Sequence, residues 1–421
     1  ILIIMEQKRV VITGIGTINP LGNNVEDYFA SLEAGVSGSA PVTLFDATNY
    51  KTKFACEVKN YDSEQYFDRK ESKRLDRYLQ FAIISAGEAM ADADFAEGSF
   101  DSHRAGVIWG SGIGGIKSLQ DEVLDFAKYE GVPRFSPFYI LKMIPNMASG
   151  HISIRHNLCG PSYGTVSACS SSTHAIIAAV DQIRLGRADV MVAGGSEAGI
   201  SESGVGGFNA MMALSTRNDS PATASRPYDA GRDGFVIGEG GAALVLEEYE
   251  HAVARGAKIY AEVVGCGASS DAYHVTAPHP EGCGAKACIE QAIKDAGISP
   301  EVVDYVNTHG TSTPAGDIPE LKALIEVFGD HIYDMNISST KSMTGHLLGG
   351  AGAVEALALI LALQKGIVPP TINVEQLDEA IDPRLNLTLG EAQHRSVRYA
   401  LSNTFGFGGQ NASIILKRYE E

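Results

Sequence analysis

Short apolar, β-branched runs alternate along the chain with longer segments of helical periodicity. Lys8–Gly14 (KRVVITG) predicts a buried strand that ends in a Gly turn. Similar runs follow at Arg104–Gly110, Tyr163–Ala168, Asp189–Gly194 and Gly241–Glu247, with helical patterns at Val25–Ala34, Lys73–Ala93 and Thr173–Leu185. This order predicts an α/β layered fold rather than a sandwich or a bundle. It then starts again. Lys258–Cys266, Val302–His309, Ile337–Thr340, Tyr399–Asn403 and Ser413–Leu416 read as strands, and Cys283–Ala296 and Ala351–Lys365 as helices. Two halves of similar order, meeting near residues 250–257, predict an internal duplication: an N-terminal half over 5–255 and a C-terminal half over 256–421. No long Pro- or Ser-rich linker parts them, so one packed body is expected.

Length and composition sharpen this picture. A chain of 421 residues exceeds one ordinary core, and 44% hydrophobic with 20% charged residues describes a globular protein. The 46 glycines follow no period and predict tight turns and close backbone approaches. A net charge of −18 argues against a nucleic-acid partner, which needs a basic face. It leaves room for an acidic protein partner steered by a local cationic patch. Arg69–Arg77 (RKESKRLDR) is the densest such patch; on one helix Lys70, Lys73, Arg74 and Arg77 would share a face. The six cysteines form no C-x-x-C pair, which favours a reducing compartment, the cytoplasm. Ile1–Ile4 is apolar but too short for a signal segment, and Met5 is a candidate natural start. The longest apolar stretch, Ala351–Leu363, contains Glu355 and is too short to cross a membrane.

Four loops carry the chemistry. In Tyr163–Ala175 (YGTVSACSSSTHA) a β-rich run stops at Ala168 and Cys169 precedes a helix. Ser170–Thr173 are placed to cap that helix, whose free N–H groups and dipole favour a thiolate. Asn307–Asp317 (NTHGTSTPAGD) delivers His309 onto a polar loop with Thr311 and Thr313. Lys341–Gly352 (KSMTGHLLGGAG) sets Lys341 and His346 before a Gly-rich helix start, and Glu355 in the apolar helix beyond needs a partner, for which Lys341 is the candidate. Asn403–Asn411 (NTFGFGGQN) combines glycines that let backbone approach a ligand with the bulk of Phe405 and Phe407. Each loop follows a strand, where open α/β sheets place their sites.

These blocks resemble the β-ketoacyl-acyl carrier protein synthases, most closely the elongating type II members. The pieces are SACSSS, THGTSTPAGD, STKSMTGHLLGGAGAVEA and SNTFGFGGQN, within a likeness running from VVITGIG to GFGGQNASIIL. The resemblance implies a thiolase-like fold, five layers α-β-α-β-α from two similar halves, and a homodimer. It implies that Cys169 accepts the acyl group and that His309 and His346 assist decarboxylation of a malonyl thioester. Lys341, paired with Glu355, would set the site's electrostatics, with Asp317 in support. Backbone N–H groups of Cys169 and Phe407 would form the oxyanion hole. Thr311 and Thr313 would line the phosphopantetheine channel, while Ile113, Phe405 and Phe407 would contact substrate. The partner would be an acyl carrier protein, docked on Lys70, Lys73, Arg74 and Arg77, and no cofactor or metal of the enzyme's own is expected. One departure is Ser170–Ser171–Ser172, where relatives often carry Thr or Ala and Gly.

Rival readings fit less well. Gly110–Gly115 (GSGIGG) matches a dinucleotide fingerprint formally, but stands alone. A thiolase would need a second Cys in NTFGFGGQN, an initiating synthase typically has Asn in place of His346, and a chain-length subunit lacks the nucleophile. Gly194–Ala198 (GGSEA) misses the last Gly of a hydrolase elbow.

Overall fold

The computed structural model describes residues 7–130 and 132–420. The Ile1–Ile4 stretch, the candidate start Met5 and the final residue of the C-terminal half lie outside these. Ten strands form the main sheet: β1 (Val10–Ile18), β2 (Ala105–Gly110), β3 (Ser162–Thr165), β4 (Val190–Glu197), β5 (Gly240–Glu248), β6 (Ala261–Ser270), β7 (Tyr305–Asn307), β8 (Asn336–Ser338), β9 (Tyr399–Gly406) and β10 (Gln410–Arg418). Their spatial order is β8-β7-β9-β10-β6-β1-β5-β4-β2-β3. Outward from the β6–β1 junction, the two sides run β1-β5-β4-β2-β3 and β6-β10-β9-β7-β8. Each strand thus has a counterpart five places later, and the pairing sense repeats: antiparallel twice, then parallel twice.

Six helices complete the repeat: α1 (Arg77–Asp92), α2 (Met147–His156), α3 (Ser171–Arg184), α4 (Cys283–Ala296), α5 (Asp317–Phe328) and α6 (Ala351–Lys365). Glycine explains how α1 and α4 seat so closely. A Cβ on Gly14 or Gly16 of β1 would lie 2.2 Å from a carbonyl oxygen of α1, and one on Gly265 or Gly267 of β6 would lie 2.3 or 2.0 Å from a carbonyl of α4. The same device serves both halves.

The layers follow from burial. Helices α3 and α6 form the middle layer, where Ile176, Val180, Leu357 and Leu361 join Leu244 of one half and Ile414 of the other in one core. Outside, α1 and α2 cover one half and α4 and α5 the other. The result is α-β-α-β-α. Apart from Glu355, helix α6 is apolar all round from Ala351 to Leu363, as an enclosed helix must be. With the turn before it, Leu348–Lys365 has the length and hydropathy of a membrane span, longer than the sequence reading allowed, but 89% of it is buried inside the protein. It is the central beam of the fold.

Candidate active site

Strand β3 ends at Thr165, and the chain turns sharply at Ala168, whose φ is +51°. A left-handed, non-glycine residue there aims Cys169 away from the strand and into the site. Leu348, with φ +49°, stands at the same distance before α6 as Ala168 does before α3. The duplication therefore gives Cys169 a positional twin, and that twin is Gly349. The serine run does not cap α3 as expected: Ser171 Oγ bonds locally, donating to the Ala168 carbonyl and accepting the Ser167 N–H, and the hydroxyls of Ser170 and Ser172 bond across the fold. Ser170 Oγ donates to the carbonyls of Thr404 and Gln410, at 2.9 and 2.8 Å, while Ser172 Oγ accepts the Ala353 N–H at 3.1 Å. No side chain caps the helix.

Cys169 is 6% exposed, and its Sγ lies 2.9 Å from His346 Nε2. Burial pushes the thiol up to about 12, against the pull of Lys341 and the backbone N–H groups of Phe407 and Cys169 itself; the Glu197 carboxylate adds to the rise. Burial thus works against the thiolate that the sequence led one to expect at the helix end. The reason is desolvation, which outweighs one cation and two N–H donors.

His309 follows β7, and His346 lies in the turn before α6. Their rings are 5.3 Å apart and nearly perpendicular, at 87°. Burial, with Lys341 second, holds both far below the ordinary histidine range, and His346 adds to this at His309. Burial and Lys341 thus favour the neutral form of both imidazoles. The three ligand-type atoms of Cys169, His309 and His346 all fall within 4.8 Å of one another. The His309 backbone is itself held: its N–H and that of Gly310 each donate to Glu320 at 2.8 Å. Burial pushes Glu320 to about 7. Asp317, at the start of α5, accepts N–H bonds from Tyr228, Ser312 and Thr313 and faces Arg232 at 3.4 Å. The loop bearing Thr311 and Thr313, whose hydroxyls are 3.0 Å apart, is thereby fixed.

Lys341 and Glu355 form a buried ion pair, 1% and 2% exposed. Burial pushes the carboxyl to about 7, while Lys341 draws it down. Cys169, His309, His346, Thr311, Thr313, Ile113, Phe405 and Phe407 all line one cavity of about 610 Å³. Residues remote in sequence, from both halves, thus meet in one chamber.

The cationic segment departs from its expected form. It is not one helix: a single turn over Arg69–Ser72 breaks before Asp76, which caps α1 by accepting the Tyr78 N–H. Lys70, Lys73 and Arg74 are exposed, but Arg77 turns inward onto Glu239, which is 1% exposed, through two bonds of 2.8 and 2.6 Å. Arg77 is a structural residue, not part of a docking face. The glycines of Gly110–Gly115 also have a local use. Gly110 lies against the Ser171–Ser172 backbone, so α3 can approach β2 closely, while Gly114 takes φ +69° against Met143 and Pro145. Sequence reasoning missed Glu197 and Glu320, because a buried acid looks like a solvated one until its N–H partners are known.

The family models for the N-terminal and C-terminal domains of beta-ketoacyl synthase match residues 7–252 and 260–375. Among curated relatives, "3-oxoacyl-[acyl-carrier-protein] synthase 2" of Synechocystis sp. is 47% identical, covering 99% of this chain and 99% of that one. The protein of the same name from Coxiella burnetii is 48% identical over 98% and 99%. A solved beta-ketoacyl synthase from Burkholderia phymatum superposes with TM-score 0.91 at 37% identity, covering 98% of this chain and all of that one. A structure described as a type II PKS acyl-carrier protein in complex with its ketosynthase gives TM-score 0.90 at 32% identity, over 99% of this chain and 100% of the matched one.

Proposed function

This chain belongs to the β-ketoacyl synthase family, and on that footing we propose that Cys169 carries the growing acyl chain while His309 and His346 drive its extension. The activity is that of a 3-oxoacyl-[acyl-carrier-protein] synthase: an elongating acyltransferase that condenses malonyl-carrier with an acyl group and lengthens it by two carbons. The observation that carries the residue assignment is the 2.9 Å contact between Cys169 Sγ and His346 Nε2, inside a cavity shared with His309.

In the first half-reaction the thiol proton leaves for His346 as Sγ attacks the acyl thioester. The carbon–sulfur bond to phosphopantetheine breaks, and His346 gives the proton to the departing carrier thiol, becoming neutral again. Negative charge on the tetrahedral oxygen meets the N–H groups of Cys169 and Phe407; one such donor is typically worth ~3–4 kcal/mol. In the second half-reaction malonyl-carrier loses carbon dioxide. Its enolate oxygen takes hydrogen bonds from His309 and His346, and its carbon attacks the acyl carbonyl, expelling Cys169 as a thiolate that takes a proton from solvent to regenerate the thiol. Two neutral imidazoles donate there without placing more cations beside Lys341. Thr311 and Thr313 line the pantetheine path, and Ile113, Phe405 and Phe407 bound the acyl space. The only prosthetic group required arrives on the carrier.

The partner is an acyl carrier protein, met by Lys70, Lys73 and Arg74. A homodimer is supported by an open edge: β3 ends the sheet with one side unpaired, and Tyr163 on it and Val166 just after it are exposed. The cytoplasm is supported by six cysteines, all free. Intact-mass analysis with acyl-carrier proteins of graded chain length tests the assignment: the wild type gains an acyl group and Cys169→Ala does not. An adduct on Cys169→Ala would overturn it.

A further inference from the structure

Glu197, at the end of β4, is fully buried and forms no ion pair among the described residues. Its carboxylate is instead surrounded by donors from two separate loops. Oε1 accepts from Ser111 Oγ at 2.9 Å and Ile113 N–H at 3.2 Å; Oε2 accepts from Gly112 N–H at 2.7 Å and Gly349 N–H at 3.0 Å. The first three donors belong to the loop after β2, which carries Ile113. The fourth belongs to the turn before α6, which carries Leu348 and comes from the other half. Ile113 and Leu348 both line the catalytic cavity. Their side-chain tips converge beside Gly199, where a Cβ would meet Leu348 Cδ1 at 3.2 Å and Ile113 Cδ1 at 3.9 Å. The two glycines of the clamp admit no larger residue, since a Cβ would reach Glu197 Oε2 at 2.9 Å from Gly112 and 2.7 Å from Gly349.

Four donors on one buried carboxylate make an acceptor-only site that no neutral side chain reproduces. We propose that Glu197 is a positioning residue for acyl-chain selectivity: by clamping the Ile113 loop of one half to the Leu348–Gly350 turn of the other, it sets the width of the acyl pocket without touching the chain. This rests on the acyl-pocket reading above. The twin of the nucleophile position thereby acquires a use. Where Cys169 offers its N–H to substrate, Gly349 offers its own to Glu197.

The test is Glu197→Gln, whose amide must turn its NH2 towards one side of the clamp and so loses the Ile113 N–H bond on one side or both the Gly112 and Gly349 bonds on the other. Acylation of Cys169 is followed by intact mass with butanoyl- to hexadecanoyl-carrier, and iodoacetamide labelling checks that the site is assembled. The ratio between the best and worst chain lengths should shrink about tenfold, the scale set by apolar pocket contacts. Ile113→Ala should shrink it similarly, and the double variant no further, because Glu197 acts through Ile113. Should Glu197→Gln not fold, Ser111→Ala removes one donor and should flatten the profile in the same direction by less. An unchanged ratio, or shrinkages that multiply in the double variant, would overturn the proposal. A wild type that never acylates would instead overturn the functional reading beneath it.

Discussion

Replacing Lys341 with Ala should leave Glu355 as a buried carboxyl without a counter-charge. Both side chains are at most 2% exposed, and Glu355 Oε2 already has no partner. Breaking such a pair from one side typically costs ~3–5 kcal/mol, whereas replacing both partners with well-packed neutral residues is often close to neutral. Urea unfolding should therefore show a loss of that size for Lys341→Ala and a recovery of most of it in Lys341→Met/Glu355→Gln. The pH dependence has a definite sign. Glu355 has a folded value raised from 4.5 to about 7, and losing Lys341 removes a cause that lowers it. The native state then holds a proton that the unfolded chain releases, so stability falls as pH rises. Relative to wild type, the penalty is smallest near pH 6 and grows above pH 7 by up to ~1.4 kcal/mol per unit. Condensation should stay impaired in the double variant, because its stability returns but the cation beside the histidines does not. A loss below ~1 kcal/mol at pH 8, or a double variant as unstable as the two singles summed, would refute the reasoning.

Other outcomes follow from the same geometry. His309→Ala should accept an acyl group from its carrier but condense poorly, read as an accumulated acyl-enzyme by intact mass. His346→Ala should also acylate, but up to ~10²-fold more slowly at pH 7, with recovery as pH rises and the thiol ionises unaided; a flat pH profile would count against His346 as the proton acceptor. Lys70→Glu and Lys73→Glu should raise KM for the carrier in a salt-sensitive way with little change in melting temperature. Arg77→Ala should do the reverse, lowering stability by ~3 kcal/mol or more through the stranded Glu239.

The reacting residues were legible because most of them stand where a strand stops and a loop of distinctive composition begins. Cys169, His309 and Lys341 obey that rule, His346 lies one helical turn beyond Lys341, and the apolar periodicity around Glu355 announced a buried charge needing a partner. Helices α4 and α6 were readable to the residue, since their apolar patterns end at glycines. The carboxylates that hold the loops were not readable. Glu197 and Glu320 owe their roles to backbone N–H groups from distant segments, which leave no mark near either acid. The serine run misled for a related reason: a hydroxyl that suits a cap also suits a carbonyl on a neighbouring strand, and only the fold decides. The break before α1 was signalled by Asp76, a good cap residue, but the charge spacing of RKESKRLDR suggested an unbroken helix. The conflict between free N–H groups and burial at Cys169 could be settled only once the depth of the site was known.

Because α3 and α6 lie side by side in one core shared by both halves, each half is keyed into the other through the centre of the fold. A body built this way has no jaw to open, and nothing large can enter by swinging the halves apart. Whatever reacts must come threaded, as the tip of a slender arm whose bulky owner stays outside. A thioester on a tethered thiol has that shape, so the central helices dictate how substrates must be delivered as well as where the chemistry occurs.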